Sequence, residues 1–489
     1  MNRNGAIEGT PTPFINLLGT IGRYIIDDLR PVSVVEGPEF KNMIKSLDPR
    51  FSIAGRTYFS TTLIPNIYDE TASKVKSSLS SAQTVALTTD GWRGRANESN
   101  ATITFIYITQ ELRLQNFVLQ TRMMPESHTG VNIAEVIREA IAHPPFVAGR
   151  ELSSKPHIGC FAHTLTLAAQ RALKINAVYS STQNKTEASW GKNVKHICDV
   201  PTRWNSAADM LERYLELQPA IYAALTSNEV NPAKRSEINV LSETDTKSAQ
   251  VIMKCLTPLK TMTDVISYEK MPIVSVIIPL IQQVQKVMAY NEDDGQTLRS
   301  IKEAVFGDTE KRYTSEELWH FLEECTVLDP RFKTTLAPET LGETYHRLSV
   351  LLSSGGVDVR VKVEEVDTDT DSTEKKVDLA AIFDDVVVVK AEKGSKSIYE
   401  RVDEEIAKYK MVQPIKIKMD PLVWWKEHCF YYSLLANLVK ARLCIPATSV
   451  PSEGVFRTAG DTVTAQRSCL ASDLVDMLFF CKKNCQKCD

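Results

Sequence analysis

Apolar residues recur along this chain with two different periods, and the changes between them divide it. From Phe14 the stretch FINLLGTIGRYIIDDL and from Ile64 the stretch IPNIYDETASKVKSSL place apolar side chains three and four residues apart, as an amphipathic helix does. The spacing predicts a helical lead-in over residues 1–80. The period then shortens. VALTTD from Val85, ATITFIYIT from Ala101 and LRLQNFVLQTRMM from Leu112 are rich in β-branched and aromatic residues and separated by loop-like breaks. They predict three successive strands, most simply an antiparallel meander. NIAEVIREAIA, Asn132 to Ala142, returns to helical spacing behind Thr129 and Gly130.

Three strands followed by a helix make one half of an RNase H-like α/β unit, here residues 81–159. Over residues 160–352 nearly everything reads helical: CFAHTLTLAAQRAL, SAADMLERYLELQPAIYAAL, AQVIMKCLTPLKTMTDVI, VSVIIPLIQQVQKVM and SEELWHFLEECTVL. Residues 353–419, with VEEVDTDTDSTEKK at their heart, read as an acidic and largely disordered linker in which VVVVK from Val386 is at most a stray strand. Dense apolar content resumes over 420–485. The predicted architecture is therefore α/β plus α: a core interrupted by a large all-α insertion and closed by a helical C-terminal segment.

Composition adds limits rather than a function. The 489 residues exceed one simple core, and 43% hydrophobic with 24% charged residues is ordinary for a globular chain. A net charge of −4 gives no global field toward a polyanion, so any nucleic-acid contact has to be local. No uncharged apolar run nears the roughly 18 residues of a membrane span, and MNRNGAIEGTPTPF lacks a signal-peptide core. The ten cysteines, scattered from Cys160 to Cys488, suit reduced thiols better than a disulfide framework.

In order along the chain, LTTDGW, ESHTGVNIAEVI, HIGCFAHTLTLAAQRAL, DVPTRWNSAADMLERYLE, LDPRFK, DPLVWW and CIPATSVPSEGVFRTAGDTVTAQRS resemble the hAT transposase superfamily. They are most similar to its animal transposase-derived branch, whose members usually carry a BED-type zinc finger. The resemblance implies an RNase H-like core with an α-helical insertion and a C-terminal dimerisation segment. It also implies DNA cleavage and transfer by a two-metal mechanism, in which three carboxylates hold a pair of Mg²⁺ or Mn²⁺ ions.

Residue by residue, the resemblance puts Asp90 at the first acid and Glu453 at the third; the bland alternatives are a turn cap and a first-turn glutamate facing the helix dipole. Gly454 and Arg457 depart from the family pattern beside Glu453. The second acid is missing: HPPFVAGRELSSKP stands where a strand ending in Asp-Asn belongs, no Asp occurs between Asp90 and Asp199, and Glu151 is the segment's one acid. Without that strand the Asp90 strand is expected to have an unpaired edge. Asp90 and Glu453 are accordingly expected to be vestigial, the chain not to be an enzyme, and no cofactor or metal to be bound. Mg²⁺ would serve active relatives, and zinc a BED finger.

Other groups weigh against bland readings. Trp92 and Trp204 match positions where rings could stack on an unpaired base, worth about 1–3 kcal/mol per base, or could simply pack in a core. Trp204, Arg203 and Arg93 are the candidate nucleic-acid residues; Arg95 and Arg122 are nearby arginines with an ordinary surface role as the alternative. Cys160 and His163, with His157 upstream, lack a second ligand pair and read as structural. Cys481, Cys485 and Cys488 share a helical face in what reads as a frayed tail. No cysteine precedes Cys160, so a BED finger is not expected here.

The strongest functional signal is C-terminal. Trp424, Trp425, Phe430, Tyr431, Leu434, Leu435, Leu438 and Val439 form an apolar face too broad for one exposed side. Part of it is expected to pack on the core and part to make a homodimer. The expectation is a transposase-derived, non-catalytic nuclear protein that pairs with itself. It would act in DNA-associated or transcription-regulatory complexes, meeting DNA weakly or through partner proteins, with no membrane contact. The alternative is a metal-dependent hAT DNA transposase.

Overall fold

The computed structural model describes residues 13–93, 99–124, 129–142, 157–175, 204–226, 242–268, 273–354, 396–449 and 472–488. The described chain is mostly helical, with one small sheet. Helices α1 (Pro13–Asp27), α2 (Pro38–Leu47) and α3 (Ile64–Ser80) lead in, the last two with Pro in the first turn, where its missing N–H is harmless. Strands β1 (Ala86–Arg93), β2 (Ser99–Ile108) and β3 (Leu114–Met123) follow, then α4 (Gly130–Ala142). The long helical passage comprises α5 (Phe161–Ile175), α6 (Trp204–Thr226), α7 (Glu243–Tyr268), α8 (Ile277–Val287), α9 (Gln296–Glu310), α10 (Glu316–Leu328) and α11 (Pro338–Ser353). The C-terminal helices are α12 (Ile398–Met411), α13 (Pro421–His428), α14 (Ser433–Arg442) and α15 (Ser472–Cys488).

The meander expected from the period-two runs is present: the sheet order is β1-β2-β3, antiparallel throughout. Its β2–β3 ladder slips between Ile103 and Thr104, so that Leu119 is the extra residue of a bulge on β3. One sheet face, with Ala101, Ile103, Phe105, Tyr107, Phe117 and Leu119, belongs to a hydrophobic cluster with α1, α3, α4 and α15. The rings of Phe105 and Phe117 stack there at 5.3 Å. Across the sheet, Ala86, Ile106 and Ile108 join a larger cluster made by α5 to α14. The sheet is thus a shared wall between two cores.

The β3 edge is closed by side chains rather than by a strand. Asn484 of α15, fully buried, accepts from the Val118 N–H at 3.0 Å and donates to the Val118 carbonyl at 2.8 Å. Asp476 accepts from the Thr121 N–H at 2.7 Å, and the Lys487 ammonium donates to the Asn116 carbonyl. Lys482 meanwhile donates to the Asp27 carbonyl at the end of α1 at 2.7 Å, answering a terminal carbonyl that has no partner within its helix. On the other side β1 pairs with β2 alone among the described residues.

Three expectations need correction. Part of the stretch read as a linker is structured: α12 buries Val402, Ile406 and Tyr409, while residues 355–395 lie outside the described residues. Cys481 and Cys485 do not sit in a frayed tail, because α15 drives them with Leu478, Phe479 and Phe480 into the second core. The first strand does not stop at Asp90; it runs on to Arg93, with Asp90 paired in register with Thr102. The segment 143–156 and the stretch VVVVK lie outside the described residues.

Replacing Asn484 by Leu leaves the N–H and carbonyl of Val118 buried without partners, at about 1–3 kcal/mol each. Chemical denaturation of Asn484→Leu is expected to show a loss of about 2–6 kcal/mol from the transition that reports the N-terminal core. A change below about 0.5 kcal/mol contradicts the sealed edge.

Candidate functional site

Two places were nominated by the residues: the sheet around Asp90, and the C-terminal segment. On the sheet, direct pairing sets Asp90 opposite Thr102, which lies opposite Thr121, while Thr88 lies opposite Thr104. Hydroxyl pairs join Thr88 to Thr104 at 2.5 Å and Thr102 to Thr121 at 3.4 Å. Alternation along β1 puts Asp90 on the same face as Ala86, toward the larger core. Its cross-strand surroundings are therefore hydroxyls. Among the described residues no group of three or more His, Cys, Asp and Glu side chains converges as a metal site would require. Among the described residues, the cross-strand partners on the Asp90 face thus supply hydroxyls, whereas a two-metal clamp needs several converging carboxylates. Glu453 and Glu151 lie outside the described residues.

The nucleic-acid candidates are not brought together. Trp204 opens α6 but is buried in the larger core, with its indole N–H unpartnered. A ring in that setting has no face for a base, which corrects the stacking expectation. Arg122 is ion-paired to Glu139. Arg203 and Arg95 fall outside the described residues, as do the side chains of Trp92 and Arg93. Cys160 accepts from the Ser449 N–H at 3.3 Å, and His163 is held below the usual histidine range by burial and by Arg312. Cys160 is thus engaged in packing the chain.

The C-terminal segment is a built platform. Ser397 and Glu400 form a reciprocal capping box at the start of α12. Glu405 of α12 then reaches the start of α14, accepting from the Leu434 N–H at 3.0 Å, the Leu435 N–H at 3.1 Å and the Ser433 hydroxyl at 3.2 Å. A carboxylate there satisfies orphan N–H groups and complements the helix dipole. Three hooks reach the carbonyls of Val327 and of the LDPRFK stretch that follows it. The Tyr409 hydroxyl donates to the Val327 carbonyl at 3.0 Å, the Trp425 indole to the Leu328 carbonyl at 2.9 Å, and the Ile415 N–H to the Pro330 carbonyl at 3.1 Å.

Within the same stretch Asp329 is fully buried. It accepts from Arg331 at 2.8 and 3.1 Å, from the Arg331 backbone at 2.9 Å and from the Ser275 hydroxyl at 2.6 Å. Lys333, also buried, donates to the Tyr409 carbonyl and lies 4.4 Å over the Tyr409 ring. Burial pushes its ammonium down to about 8, while the carbonyl and the ring face favour the charged form. The periodicity alone does not disclose this clamp; a lysine and an aspartate flanking Pro330 and Phe332 were its sequence signal.

On this platform the eight expected dimer residues divide. Trp424, Trp425, Leu434, Leu435, Leu438 and Val439 are buried in the chain's own core, which makes them the part of the face that packs within the chain. Trp424 and Trp425 pack edge to face at 5.0 Å around Tyr409 and Tyr432. Phe430 and Tyr431 point outward, 90% and 69% exposed, at the corner between α13 and α14.

A model of the hAT family C-terminal dimerisation region matches residues 403–485, from α12 into α15. The chain thus carries an hAT-type dimerisation region, and that region is divided between the two cores. Its relatives include transposases and BED zinc-finger proteins. It is 23% identical over 525 residues to zinc finger BED domain-containing protein 4 of Homo sapiens, covering 95% of this chain and 43% of that protein. To the putative AC transposase of Zea mays it is 23% identical over 519 residues, 92% of this chain and 63% of the relative. The Hobo transposase of Drosophila melanogaster is 20% identical over 339 residues, 61% and 51% of the two chains. The chain spans about half the length of the curated relatives it matches.

Breaking the clamp should be costly: Asp329→Ala strands the buried Arg331 guanidinium and is expected to lower stability by about 3–5 kcal/mol in denaturation of the helical core. Phe430→Ser, at an exposed corner, is expected to stay within about 0.5 kcal/mol of the parent. Equal effects of the two substitutions contradict the division between platform and surface.

Proposed function

We propose that this chain is a transposase-derived, non-catalytic nuclear protein that homodimerises through its C-terminal region and works within DNA-associated or transcription-regulatory complexes. The observation that carries the reading is the dimerisation region matched over 403–485, set on a rigid platform whose apolar corner is exposed. The zinc-finger and transposase names of its relatives motivate the DNA setting and the nucleus. No helix among the described residues is long and apolar enough to cross a membrane. An RNase H-like ancestry of the sheet rests on the meander β1-β2-β3 followed by α4. Loss of catalysis rests on the absence of any Asp between Asp90 and Asp199. No cofactor is assigned.

A second reading, an active Mg²⁺-dependent transposase, draws on the transposase relatives and on the retained Asp90. Purified protein is expected to sediment and scatter light as a dimer at micromolar concentration; a monomer there contradicts the leading reading. With Mg²⁺ or Mn²⁺ it is expected to leave transposon-end DNA intact. Metal-dependent nicking that Asp90→Asn abolishes would establish the second reading.

A further inference from the structure

Two cysteines of α15, Cys481 and Cys485, stand one helical turn apart on the face that enters the second core, 0% and 4% exposed. Their surroundings make them unequal. The Cys485 sulfur meets the Thr71 hydroxyl of α3 at 3.2 Å. A hydrogen bond from the Cys481 thiol is the largest influence holding Cys485 down at about 6, aided by Thr71 and Arg23 and opposed by burial and Asp27. Cys481, hydrogen-bonded to that sulfur and buried, is pushed well up and keeps its proton. Cys485 is also the outer of the pair: Gln486 and Lys487 beside it are exposed, whereas Cys481 follows the buried Leu478, Phe479 and Phe480. A thiolate next to a protonated thiol is the arrangement in which one sulfur is oxidised and the other resolves it.

We infer that Cys485 is an oxidation site for hydrogen peroxide, that Cys481 is its resolving thiol, and that the disulfide they form unlocks the β3 edge. In the first step the Cys485 thiolate attacks a peroxide oxygen and the O–O bond breaks, leaving a sulfenic acid and a hydroxide that takes up a proton. In the second the Cys481 sulfur attacks the sulfenic sulfur. The S–S bond forms, the S–O bond breaks, and the hydroxyl leaves with the Cys481 proton as water. Together the two thiols lose two electrons and the peroxide becomes two waters. Helix geometry sets the consequence. Side chains one turn apart hold their Cβ atoms about 5–6 Å apart, and a disulfide draws them to about 3.5–4.5 Å. The last turn of α15 therefore gives way as the bond forms. In that turn lie Asn484, which holds both backbone groups of Val118, and Lys487, which holds the Asn116 carbonyl. Brief opening of the same turn admits a molecule as small as the peroxide.

Peptide mapping of the intact chain after brief peroxide treatment, with remaining thiols alkylated under denaturing conditions, tests the inference. Cys485 is expected to be consumed at least tenfold faster than Cys255, which is also buried but pushed up to about 11. It is expected to appear in a Cys481–Cys485 disulfide that a small dithiol reverses. Cys481→Ser is expected to stop the reaction at the sulfenic acid, captured by a cyclic dione reagent. Hydrogen exchange at the Val118 amide is expected to rise at least tenfold in the oxidised chain and to fall back on reduction. Oxidation of Cys485 no faster than of Cys255, or a disulfide that joins it to a different cysteine, overturns the site. A Cys481–Cys485 disulfide that leaves exchange at Val118 unchanged overturns the unlocking of the edge.

Discussion

A carboxylate at the centre of an apolar core has to be answered on every side, and the C-terminal platform is arranged around that requirement at Asp329. Arg331 and Ser275 supply the donors, which fixes the turn after α10. That turn offers its carbonyls to Tyr409, Ile415 and Trp425. Replacing a buried pair by apolar groups is often neutral, so the pair is poor evidence of added stability. Its effect is one of position. It makes α12, α13 and the corner at Phe430 a rigid continuation of the helical passage.

The second constraint is the sheet edge. A strand leaves a row of N–H and carbonyl groups that need partners when buried, and β3 finds them in Asn484, Asp476 and Lys487 of α15. The dimerisation region therefore does two structural tasks at once. Its first helices complete the larger core and its last helix completes the smaller one. Most of the apolar residues described in it are intramolecular for that reason, and the large ones left outward among them lie between Met411 and Tyr431.

The strands were legible because alternating β-branched and aromatic residues leave few other structures open, and their order followed from short breaks. The C-terminal apolar run was legible as important, but periodicity does not tell a helix buried in its own chain from one that meets another. Leu434 and Phe430 look equivalent in the sequence and differ completely in the fold. Helix α12 was obscured by the acidic residues before it, although Val402, Ile406 and Tyr409 keep helical spacing behind the Ser397–Glu400 cap. The burial of α15 was obscured by its lysines. Lys482 and Lys487 reach backbone carbonyls, and Lys487 lies over the Phe117 ring, so the charges serve packing instead of opposing it. Trp204 shows the same limit: a residue type suited to stacking on a base is equally suited to a core.

One region thus closes both cores and, among its described residues, leaves large apolar side chains outward only between Met411 and Tyr431. Hydrogen exchange on the intact chain, compared between dilute and concentrated solution, tests it most directly. The account predicts slow, concentration-independent exchange at Val118 and in α12 and α14, with protection that rises on concentration confined to backbone amides of residues 411–431. Concentration-dependent protection in α14 or on β3, with none over residues 411–431, would contradict it.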